Sequence, residues 1–99
     1  MSLEEVQAKV REISLETHKE KVYTSAFFVT LLSEQVGQIA EKYLDKGRYG
    51  EGIEVDIMDV VLVCLAYLNW LDKDASSGFE RSLEKHRRAI ELFKKKSKK

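Results

Sequence analysis

An all-α fold, a single bundle of four helices, is what this sequence predicts. The chain has no proline and only five glycines in 99 residues, apolar side chains recur at helical spacing along most of its length, and the breaks between those stretches are short. With 43% apolar and 34% charged residues, no internal repeat and no long linker, residues 1–99 read as one domain. A chain this short buries about 60 to 65% of the surface its unfolded form exposes, so a thin core and self-association are expected together.

The first helix starts at Ser2, where the Ser2 to Glu5 spacing is a capping box. It carries Leu3, Val6, Val10 and Ile13 on one face and fades near His18 to Lys21. The second is expected from Thr24 to Lys46, entered through a Thr-Ser cap and stopped by Gly47, with Val29, Leu32, Val36, Ile39 and Tyr43 as its apolar stripe. Glu34, Gln38, Glu41 and Asp45 gather on the opposite side. The loop GRYGEG then leads into a third helix, Ile53 to Leu71, whose run Val60 to Leu68 is apolar all round. Such a helix needs cover on every side, and three short neighbours supply too little. A dimer or tetramer with the third helix at the interface is therefore expected. The fourth helix follows DASSG, with Ser77 and Glu80 as a second capping box and Phe79, Leu83, His86, Ile90 and Phe93 along one stripe. A basic tail covers residues 94–99.

Several function classes are excluded at this level. One cysteine, Cys64, and two histidines can build neither a disulfide framework nor a zinc cluster. The start MSLEEVQAKVREIS is too charged for a signal peptide, and the nine-residue apolar run falls short of the about 20 that a membrane span needs, so a cytoplasmic, non-membrane protein is expected. GRYGEG lacks the Lys-Ser/Thr ending of a phosphate-binding P-loop. The net charge of zero hides a polar chain: residues 81–99 hold nine Lys/Arg against two Glu. No aromatic residue follows Phe93 to stack bases, so the tail reads as a lysine-rich helix end and nucleic acid is not the expected partner. Cys64 reads as a buried inert thiol, His86 as a core or interface histidine, and Phe28, Tyr67 and Trp70 as packing.

The residues that could carry chemistry are acids. Asp56 and Asp59 lie one turn apart where the apolar helix begins, and an ionised carboxylate entering a core requires a cation, strong donors or a raised pKa. If helices two and three pack antiparallel, Glu34, Gln38 and Glu41 can face them, a set of oxygen ligands suited to Mg²⁺ or Mn²⁺. First-turn acids favoured by the helix dipole, beside a solvated acidic face, account for the same residues.

LLSEQVGQIAE, VDIMDVV, the aromatic approach YTSAFF, LDKDASSG and LEKHRR together resemble the MazG-like all-α nucleoside triphosphate pyrophosphohydrolases over about Tyr23 to Arg88. That family's signature is Glu-Glu-x-x-Glu followed by Glu-x-x-Asp on the next helix. Glu34, Gln35 and Gln38 stand at the first three acidic positions, Asp56 and Asp59 at the last two. The resemblance implies a helical, oligomeric, Mg²⁺-dependent enzyme that splits a nucleoside triphosphate into monophosphate and pyrophosphate. Glu34, Gln38, Asp56 and Asp59 would hold the metal, and Lys85, helped by Arg81 or Arg88, would bind phosphate. Phe27 and Phe28 would flank a base. Each Glu→Gln change removes a negative charge from the ion's shell, and this chain has two, which also fits a weak or inactive member. The alternative is a non-catalytic helical oligomer acting as an interaction or nucleic-acid-binding protein.

Overall fold

The structure is a computed structural model and describes residues 1–17, 23–46 and 52–97. These residues form four helices and no strand: α1 Leu3–Thr17, α2 Ser25–Lys46, α3 Ile53–Trp70 and α4 Ala75–Ser97. The expected helix count and class hold. Gly47 and most of the GRYGEG loop, like the fading of α1 near His18 to Lys21, lie outside the described residues.

Local chemistry explains the helix starts. At α1 the Ser2 hydroxyl accepts from the Glu5 amide at 3.2 Å, so Ser2 caps the helix as expected, and it donates to the Glu5 carboxylate at 3.1 Å, which thus meets the hydroxyl of Ser2. Thr24 caps α2, its Oγ1 accepting from the Phe27 amide at 3.1 Å. α3 starts after Gly52, whose left-handed φ of 82° a side chain would resist. The second capping box is corrected. The cap of α4 is Asp74, which accepts from the Ser77 amide at 3.0 Å, so Ser77 and Glu80 belong to the helix itself.

α3 is the hub. It packs on α2 along one side and on α1 along another, while α4 rests mainly on α1. The core is small: Val10, Leu65 and Ala75 bring α1, α3 and α4 together, with Leu3, Val6, Val61, Ala66 and Leu68 around them. A polar clamp locks this junction. Gln7, 7% exposed, donates from Nε2 to the Lys73 carbonyl at 2.9 Å and accepts at Oε1 from the Ala75 amide at 3.0 Å. Its own carbonyl accepts from Asn69 Nδ2 at 3.1 Å, and Arg11 donates to Asn69 Oδ1 at 3.3 Å. Gln7 thus ties α1 to the chain between α3 and α4 and satisfies groups that would be costly to bury unpaired.

Other expectations are corrected by the packing. α2 turns toward α3 the row Phe28, Leu31, Leu32, Gln35 and Ile39, leaving Val29, Val36 and Tyr43 of the expected stripe exposed. The rings explain the rotation: Phe28 is buried and stacks on Tyr67 at 5.0 Å, with Trp70 at 5.8 Å and Tyr23 at 5.4 Å, as the packing role of these residues requires. Ile13 is exposed, and so is Cys64, which is therefore not a buried thiol. Cover on α3 is incomplete: the stripe Met58, Leu62, Leu65 runs out from beneath α1, so Leu65 is buried while Met58 and Leu62 stay exposed with Val55 and Ile57.

α4 departs furthest from a closed bundle. Only Ala75 is buried, and Phe79, Leu83, Ile90 and Phe93 are each more than half exposed. The radius of gyration is 17.0 Å, against about 13 Å for a compact chain of this length, with extents of 58 × 37 × 28 Å. No helix among the described residues is long and apolar enough to cross a membrane.

Candidate functional site

Two contacts fix how α2 and α3 run past each other. Phe28 meets Tyr67 near one end and Lys42 meets Asp56 near the other, so the helices are antiparallel, as the acidic clustering requires. Between those contacts the register sets Gln38 level with Asp59 and Gln35 one turn further along, level with Val61 and Val63.

The two aspartates reach this seam from the first two turns of α3. Both are half-buried, Asp56 in the first turn and Asp59 in the second. Their surroundings differ. Asp56 forms an ion pair with Lys42, a residue the sequence reading passed over. Asp59 forms no ion pair with any described residue. One turn further along the seam on α2, Gln35 Oε1 is buried without a hydrogen-bond partner among the described residues. An amide oxygen left in that state is costly and attracts a donor, a water or a cation.

Glu34, Gln38, Glu41 and Asp45 are exposed, on the side of α2 away from its packed row. Among the described residues no three His, Cys, Asp or Glu side chains come together as a metal-holding group. Asp56, Asp59 and the Gln35 oxygen supply donors of the hard type that suits Mg²⁺ or Mn²⁺, and in this they fit the expected ion. Glu34 does not join them.

The expected phosphate-binding cations stand elsewhere. Lys85, Arg81 and Arg88 are exposed on α4, whose main packing is on α1. Arg88 Nε donates to Glu84 at 3.2 Å, and Arg87 bonds the same carboxylate, which raises the Arg87 pKa above its already high ordinary value. His86 is exposed, so it is not a core histidine. Its Nδ1 lies 2.8 Å from the Ser82 carbonyl, which can only accept, so Nδ1 carries the proton.

Gln35 of this site, and Gln7 of the α1–α3–α4 junction, had a signal in the sequence that spacing alone underrated. Gln35 falls on the row with Phe28, Leu32 and Ile39, and Gln7 on the row with Leu3 and Val10, so each is a polar residue at a core position. No protein-family profile, curated protein sequence or solved structure matches the chain.

Proposed function

We propose that the chain is a divergent Mg²⁺- or Mn²⁺-dependent nucleoside triphosphate pyrophosphohydrolase of low activity, with its ion site at the α2–α3 seam. One observation carries this reading: a half-buried Asp59 with no ion pair among the described residues, one helical turn along the seam from the buried, unpartnered oxygen of Gln35. A cation there would satisfy both groups at once. Asp56 and Asp59 would hold it with Gln35 or Gln38 as neutral oxygen ligands, and Glu34 would join only after a change of rotamer.

The ion supplies neutralisation of the polyphosphate. The chain's own residues do the rest. Lys42 sits on Asp56 and must release it before that carboxylate can serve a ligand, while the proton-accepting capacity for a water rests on Asp59. Lys85, Arg81 and Arg88 would meet phosphate oxygens only if α4, of this chain or of a second copy, approached the seam. Self-association belongs to the same reading, and the exposed Val55, Met58 and Leu62 face of α3 is one apolar surface open to it.

A second reading, a non-catalytic helical oligomer, is favoured by the Lys42–Asp56 pair, because an internal cation already neutralises one of the two central acids. Isothermal titration of Mg²⁺ and Mn²⁺, with and without a non-hydrolysable nucleoside triphosphate, separates the two. Binding that is lost in Asp59→Asn, followed by pyrophosphate release from a true triphosphate, upholds the enzyme. No binding at millimolar metal leaves the non-catalytic oligomer.

A further inference from the structure

α4 presents an apolar seam that nothing among the described residues covers. Phe79, Leu83, His86, Ile90 and Phe93 follow one another at spacings of four, three, four and three residues, the alternation that keeps a seam facing a partner helix in a coiled coil. All five are exposed, Phe93 at 72%, although the helix is otherwise strongly polar. Ser82 and Ala89 flank the seam with small side chains that let another helix approach closely.

Charge says which helix fits and in which direction. Residues 71–80 carry three acids (Asp72, Asp74 and Glu80) against Lys73, whereas residues 87–97 carry five bases against Glu91. A parallel copy would set Lys94, Lys95 and Lys96 against themselves. An antiparallel copy centred on His86 sets them beside the partner's opposite, acidic end, with Lys94 and Glu80 at equivalent flanking positions. Arg87, close to the two-fold axis, is neutralised within its own helix by Glu84.

We propose that α4 is a self-association surface: two copies of this chain pair their α4 seams antiparallel, with the two-fold axis at His86. The interface is isologous, as a closed dimer requires. It is separate from the α2–α3 seam and does not depend on any activity there.

The test places single cysteines in a Cys64→Ser background and oxidises mildly. His86→Cys cross-links to itself. Phe79→Cys does not, because its two copies stand about 20 Å apart along the paired helices, yet it cross-links to Phe93→Cys when the two proteins are mixed. Ile90→Glu converts the unsubstituted chain from twice its 11.4 kDa mass to a single mass by light scattering. The near-ultraviolet signal of the Phe28, Tyr67 and Trp70 cluster stays unchanged, because Ile90 belongs to no core. The proposal is overturned by a monomeric parent at 100 micromolar (about a hundredfold above a micromolar dissociation constant), by an Ile90→Glu dimer, or by Phe79→Cys linking to itself. A dimer dissolved by Leu62→Glu and untouched by Ile90→Glu would assign the interface to α3 instead.

Discussion

Gln7 and Gln35 are the same residue at inward positions on two helices that flank α3, Gln7 buried and Gln35 partly so, and they are treated oppositely. Gln7 spends both ends of its amide, on the Lys73 carbonyl and the Ala75 amide, and locks the α1–α3–α4 junction. Gln35 faces the α2–α3 seam with its oxygen unpaired among the described residues. A buried polar group that is fully bonded specifies structure, and one that is unbonded costs stability unless a ligand answers it. The contrast separates a locked α1–α3–α4 junction from an α2–α3 seam that holds a polar atom without a partner among the described residues.

The widest effect comes from removing what holds the second end together. Phe28→Ala, taking out a buried ring stacked on Tyr67, is expected to cost about 3 to 5 kcal/mol in urea unfolding. A cost below about 1 kcal/mol would show that the aromatic seam is not core. Next comes Gln7→Leu, which leaves the buried Ala75 amide without its acceptor and should cost about 2 to 3 kcal/mol. The matching change at the other end has the opposite sign: Gln35→Leu, which removes an unpaired atom, should be neutral or stabilising by about 1 kcal/mol while abolishing Mn²⁺ binding. Equal destabilisation by the two glutamine changes would erase the comparison. The smallest stability effect belongs to Lys42→Met, below about 1 kcal/mol because Lys42 is 46% exposed. Its value lies in titration, where freeing Asp56 should tighten Mn²⁺ binding several-fold.

Much of the fold was legible because local rules carry it. The absence of proline, the Ser2 cap and the 3.6-residue period gave four helices in the right places. Legibility failed where two rows of one helix competed. On α2 the row through Val29, Val36 and Tyr43 is wholly free of amides, yet the buried row is the one with Phe28 and Gln35. An aromatic stack outweighed one polar side chain, a balance set by the partner surface rather than by the helix. For the same reason the start of α4 shifted from Ser77 to Asp74: the Gln7 clamp holds the Ala75 amide and draws the helix back to it.

The candidate site was legible in its residues and not in its assembly. Asp56 and Asp59 were legible from their spacing, and the antiparallel α2–α3 pair only as a condition for the acids to meet, but the Lys42–Asp56 pair and the buried Gln35 oxygen were not. Both depend on the axial register of two helices, which neither helix encodes alone.

By itself the sequence determined helix class, helix count, the caps at Ser2 and Thr24, the charge polarity of α4 and the heptad seam along it, since each depends on neighbours within a few residues. Only the tertiary structure decided which row of α2 is buried, which glutamine is satisfied, which aspartate pairs with Lys42 and that α4 stands clear of the core. Those outcomes turn on side chains far apart in the chain competing for the same surface of α3, and only packing can settle that competition.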